Sequence, residues 1–162
     1  MTSSFNSKET QTHMLFMGLA LELARTAYSN DEVPVGAVIV LRRNSEVLAA
    51  FSNQMRELKS SIAHAEMLAI QKATSILQNE RLVGCDMYVS LEPCPMCAYG
   101  ISIARLDRLF YAASDPKTGG VEHGPKIFES SSCHHKPEVH SGVLASEASE
   151  LLKDFFQGKR NK

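Results

Sequence analysis

A chain of 162 residues is long enough to bury a continuous core without disulfide support, and its 44% hydrophobic and 22% charged residues argue against disorder and against a membrane class. Seventeen Lys and Arg against eighteen Asp and Glu leave a net charge of -1, which excludes a chain-wide basic field for nucleic acid, so any polyanion must be held by a local patch. Cys85, Cys94, Cys97 and Cys133 are too few and too unevenly spaced for a disulfide framework, and the Cys94-x-x-Cys97 pair points to metal or redox chemistry.

Residues 1–9 read as a polar, frayed start. From Thr10 to Ser29, Met14, Met17, Leu21, Ala24 and Tyr28 recur at helical spacing, predicting an amphipathic helix whose methionines pack the core. Glu22 and Arg25 interrupt its most apolar stretch and no basic lead-in precedes it, so neither a signal peptide nor a spanning helix is expected and the cytoplasm is the default location. Pro34 to Leu41 and Val47 to Phe51 are apolar runs around an Arg43-Asn44-Ser45-Glu46 turn, predicting a buried hairpin. Residues 54–62 read as a loop, Ala63 to Leu77 as a helix and Met87 to Leu91 as a short strand after Gly84. Pro93 then precedes a helix over Cys94 to Arg105, and Leu109 to Ala113 makes a fourth strand. A polar, glycine-rich stretch over 114–138 lacks periodicity, and Leu144 to Phe156 predicts a final helix before the basic tail Lys159 to Lys162. Helices alternating with strands predict a three-layer α/β/α sandwich on a mixed central sheet, as one domain spanning 1–162.

Cys94 and Cys97 are three apart in a predicted first helical turn, so both sulfurs can meet one ion, and His64 starts another helix. Helix N-termini carry partial positive charge, which favours thiolates. One imidazole and two thiolates suit a single Zn²⁺ in tetrahedral geometry with the fourth position left to water, as in catalytic sites; a structural site would close with a fourth Cys or His. Glu66 lies about 200° from His64 around an ideal helix, yet in a first turn both can approach an ion beyond the helix end. It is therefore the candidate proton carrier, and a favourable N-terminal charge is its plainer explanation.

His64-Ala65-Glu66 and Pro93-Cys94-Pro95-Met96-Cys97 resemble the signature of the cytidine deaminase-like zinc hydrolases. Glu32 to Val38, Asn53, Leu91-Glu92-Pro93, Asp115 to Gly119 and Leu151 to Phe156 further resemble the tRNA-specific adenosine deaminase family, over Thr12 to Arg160. The resemblance implies hydrolysis of adenosine to inosine at the wobble position of a tRNA anticodon stem-loop, with no DNA and no membrane as partner, and a homodimer. It implies Asn53 and Ala65 at the inserted base, Asp115 and Lys117 beside the substrate loop, and Phe155 and Phe156 along neighbouring nucleotides. Glu66 would take a proton from water and return protons to the ring nitrogen and to departing ammonia. Many members carry Met-Asn-His before the last strand, where this chain has Cys133-His134-His135-Lys136-Pro137-Glu138-Val139-His140. These Cys and His side chains could form a second metal site, but loop histidines are usually solvated and a solvated loop is expected.

Three rivals share parts of this pattern. A free guanine deaminase has both zinc motifs and differs at the Asp115 loop and last helix. A riboflavin-pathway deaminase needs a Gly-Arg-Thr-Pro-Pro insertion that Cys94-Pro95-Met96-Cys97 lacks, and a non-catalytic zinc module would lack Glu66.

Overall fold

The computed structural model describes residues 4–162, so 1–3 of the polar start lie outside the described residues. The first helix, α1 (Ser7–Ser29), begins earlier than its apolar period suggests. Asn6 Oδ1 accepts the Glu9 N–H at 2.9 Å and Glu9 Oε2 accepts the Asn6 N–H at 3.0 Å. This reciprocal capping box satisfies two otherwise orphaned donors, so the helix is closed where the sequence reads as frayed. Strands β1 (Gly36–Leu41) and β2 (Glu46–Ser52) form the hairpin, followed by α2 (Ala65–Leu77), β3 (Cys85–Leu91), α3 (Pro95–Ile103) and β4 (Arg108–Ala113). A fifth strand, β5 (Glu138–Ser141), follows the Cys133 stretch, where the periodicity of the chain gives no strand. It is four residues long and only partly buried, too short for an alternating pattern to stand out. The last helix, α4 (Ala145–Arg160), outruns the expected Phe156, so Lys159 and Arg160 lie in its final turn, where cations favour the helix dipole.

The strands lie in the order β2-β1-β3-β4-β5. β1 is antiparallel to β2 and β3, while β3, β4 and β5 run parallel, giving the mixed sheet. Alternation sorts the core: Ala37 and Ile39 of β1 with Met87, Val89, Leu109 and Tyr111 face α2 and α3, whereas Val38, Val40, Tyr88 and Phe110 pack under α1 and α4. Helices on both faces make the expected α/β/α sandwich. Among the described residues no helix is long and apolar enough to cross a membrane. The chain leaves β3 at Leu91 and enters α3 at Pro95, so the Cys94 turn sits at the carboxyl end of a parallel strand, where open α/β sheets bind ligands.

Candidate active site

Two helix starts build the site. His64 is the residue before α2 and Cys94 the residue before α3, both in extended backbone (φ/ψ -74°/147° and -67°/169°), and neither side chain caps its own helix. Pro95, whose missing N–H costs nothing at the first helical position, starts α3 one residue later than expected and leaves Cys97 in the first turn. His64 Nδ1 lies 3.7 Å from Cys94 Sγ and 3.5 Å from Cys97 Sγ. A tetrahedral zinc with Zn–S near 2.3 Å and Zn–N near 2.0 Å separates such atoms by roughly 3.6 Å, so the donor set fits the ion as it stands. All three donor atoms lie within 4.8 Å of one another, and they are the one convergent group of metal-ligand side chains among the described residues.

The charges suit a cation. Cys94 is pulled down to about 4, first by the Cys97 thiol that hydrogen-bonds to it and then by His64, while Cys97 is pushed up by the Cys94 thiolate and by burial. His64 is raised, chiefly by its hydrogen bond to Cys94. Zinc takes its cysteines as thiolates, so its binding would release protons from this group. Glu66, in the first turn of α2, is only 4% exposed, and its Oε2 is buried without a hydrogen-bond partner. Burial pushes its carboxyl up to about 7, where one group can both take and return a proton at neutral pH.

Asn53 joins this corner to the hairpin. Its Oδ1 accepts the Ala65 N–H at 2.8 Å, in effect capping α2 from a distant residue, and its Nδ2 donates to the Val33 carbonyl at 3.2 Å. Ala65 itself is fully buried with its N–H committed to Asn53. Its side chain therefore offers a substrate no open surface.

Residues 10–113 match the family described as cytidine and deoxycytidylate deaminase zinc-binding region. The tRNA-specific adenosine deaminase of Agrobacterium fabrum is 51% identical over 150 residues, covering 93% of this chain and 96% of that protein. The chain belongs to the tRNA-specific adenosine deaminase family. It is thus a zinc-dependent hydrolytic deaminase with one zinc per chain. A solved chain from a study of A-to-I editing by tRNA:A34 deaminases at the wobble position of transfer RNA superposes with a TM-score of 0.82 at 51% identity, covering 85% of this chain and 99% of that one. A guanine deaminase from Nitrosomonas europaea superposes at 0.75 with 22% identity, covering 96% of this chain and 95% of that one, which shows a common fold alone.

This deaminase has a groove of about 650 Å³ walled by Val33, Leu91, Asp115, Lys117, Phe156 and Arg160 among others, and none of the zinc ligands, Glu66 or Asn53 lines it. Val33 ties it to Asn53, and Leu91 stands three residues before Cys94. Asp115, Lys117 and Phe156 line this one groove together. Phe155 is not among them: it is buried, edge-on to Tyr28 with ring centroids 5.6 Å apart. Adjacent residues on a helix point about 100° apart, so one Phe of the pair faces the groove and the other the core.

The Cys133 stretch is corrected by the structure, since of its cysteine and histidine side chains only His134 is exposed in the loop. Cys133 is buried with Sγ 3.1 Å from Ser102 Oγ and 3.1 Å from the His135 carbonyl, and His135 Nε2 lies 2.6 Å from the Leu106 carbonyl. His140 sits on β5, stacked 4.9 Å from Phe110. These groups pin the approach to β5 against α3. Glu92, read at first only as part of a motif, is 2% exposed and accepts hydrogen bonds from the loop after β4; a charged residue immediately after an apolar strand was its only signal.

Proposed function

We propose that this enzyme converts adenosine to inosine at the wobble position of a tRNA anticodon loop, in the cytoplasm, as a single deaminase domain spanning 1–162. The convergence of His64, Cys94 and Cys97 within 4.8 Å, with the buried Glu66 carboxyl in the first turn of α2, carries the hydrolytic reading. His64, Cys94 and Cys97 would hold the zinc. When bound, zinc supplies a water that ionises near neutral pH. Glu66 Oε2 would take one proton from the attacking water and give it to the purine ring nitrogen, then carry the second proton from the new C6 hydroxyl to the departing amino group. The new C6–O bond forms, the C6–N bond breaks, and ammonia leaves. Asn53, held by Val33 and Ala65, keeps one amide hydrogen and one carbonyl lone pair for the edge of an inserted base.

The groove supports a substrate larger than a nucleoside. Phe156 is 44% exposed, as a ring that stacks on a base must be, and Lys117 and Arg160 supply local positive charge in a chain of net charge -1. Binding energy drawn from flanking nucleotides raises kcat as well as affinity, so a free nucleoside should be a poor substrate. A homodimer is part of the same reading, supported by Tyr99 and Ile103, one turn apart on α3 and 40% and 63% exposed. Light scattering across a concentration series tests it, and a monomer throughout would remove it.

The deciding experiment compares inosine formation on an anticodon stem-loop with adenosine at the wobble position, on free adenosine and on free guanine at matched concentrations. The stem-loop should turn over far faster. Equal or faster release of ammonia from guanine would replace this reading with a free-base deaminase.

A further inference from the structure

We infer that Glu92 is a positioning residue for the RNA-facing wall, holding the 115–123 loop against the Cys94 turn; this rests on the RNA reading of the groove. Glu92 leaves the end of β3 two residues before Cys94 and is 2% exposed. Its Oε2 accepts three consecutive backbone amides, those of Val121 at 3.3 Å, Glu122 at 3.2 Å and His123 at 3.2 Å. Its Oε1 accepts the Asp115 N–H at 3.1 Å and faces His123 Nδ1 at 2.7 Å. A buried carboxylate is tolerated only when its lone pairs are filled, and here the loop's own donors fill them. Conversely, residues 121–123 form no helix or strand, so these amides have no ladder to satisfy them. The carboxylate takes the place of a strand partner.

The backbone is shaped to reach it. A Cβ at Gly119 would lie 2.3 Å from Glu92 Oε2 and 2.4 Å from the Asp115 carbonyl, and one at Gly120 would lie 2.5 Å from Pro95 N. Only glycine lets the loop wrap the carboxylate and rest on the first residue of α3. Gly120 N–H then donates to the Pro93 carbonyl at 2.8 Å, closing the loop onto the strand-to-helix turn. From the Asp115 end the order propagates outward. The Asp115 carboxylate accepts the Lys117 and Thr118 amides at 3.1 and 3.0 Å, and all three residues line the groove. Glu92 touches neither His64 nor Glu66 through any of these bonds, so its effect should fall on RNA binding and not on the bond-making step.

Glu92→Gln turns one acceptor oxygen into a donor that faces N–H groups. The variant should retain one zinc per chain. Its KM for the stem-loop should rise about tenfold or more while kcat stays within about threefold. Amide exchange at Val121, Glu122 and His123 should quicken about tenfold or more, with Leu68 of α2 and Ala98 of α3 unchanged. Loss of zinc, or a fall in kcat at constant KM, would overturn the inference. His123→Ala removes only the ring's contact with Glu92 Oε1, at a half-buried position, and keeps the His123 N–H bond, so it stands in if the first variant misfolds; it should raise KM by about two- to fourfold, and an unchanged KM would count equally against Glu92. The exchange measurement needs no substrate. Failure of the wild-type enzyme on the stem-loop would therefore fault the RNA reading, while unchanged exchange in Glu92→Gln would fault the anchor.

Discussion

Glu66→Gln keeps the shape of the side chain and removes its ionisation, so it separates proton transfer from metal binding. General acid–base catalysis contributes about 10²–10⁴-fold, and inosine formation should fall by at least that much while zinc stays at one per chain. The same change should stabilise the zinc-stripped protein. Burial moves the Glu66 carboxyl from 4.5 to about 7, and at ~1.4 kcal/mol for each tenfold the ionised form costs ~3 kcal/mol in the fold. Below pH 4.5 the group is neutral in both folded and unfolded chains, and the cost vanishes. Between 4.5 and about 7 the unfolded chain releases its proton while the folded chain keeps it, so stability declines as pH rises, and above about 7 the whole cost is felt. Glutamine has no such cost. Urea unfolding of the two zinc-stripped proteins across this range should show a Gln advantage of up to ~3 kcal/mol above neutrality that disappears in acid. Zinc loss in Glu66→Gln, turnover within about tenfold of wild type, or an advantage that grows toward low pH would each refute the assignment of Glu66 as a buried, non-ligating proton carrier.

Cys97→Ala should lose zinc and unfold at lower denaturant, because a three-ligand site has none to spare; a fully metallated variant, measured by atomic absorption, would move the site. Asn53→Ala leaves the buried Ala65 N–H without a partner, and should cost about 1–3 kcal/mol in urea unfolding together with a loss of kcat/KM on the stem-loop. Lys117→Ala and Arg160→Ala should each weaken stem-loop binding and flatten its dependence on salt by about one phosphate contact, with zinc content unchanged. Cys133→Ser with His135→Gln should also keep the zinc but lower stability by about 1–3 kcal/mol, since both groups are tied to α3 and its exit; a metal lost on that change would reinstate a second site.

What the sequence determined by itself is what repeats over short distances or depends on residue chemistry. Helical spacing in α1 and α2, the apolar runs of β1, β3 and β4, and the soft and imidazole donors at 64, 94 and 97 are of this kind, because backbone period and ligand preference are local properties. Tertiary structure decided the rest. His64 and Cys94 are 30 residues apart, and only the packing of α2 and α3 on one face of the sheet brings Nδ1 within 3.7 Å of Sγ. β5 carries too little pattern to be seen alone and exists because β4 offers it a parallel ladder. Phe155 and Phe156 read alike in one dimension, and helix geometry against α1 buries one and exposes the other. The glycine-rich 114–138 stretch reads as an unpatterned loop because its order comes from a carboxylate more than twenty residues upstream, and a hydrogen bond across that distance leaves no period in the chain.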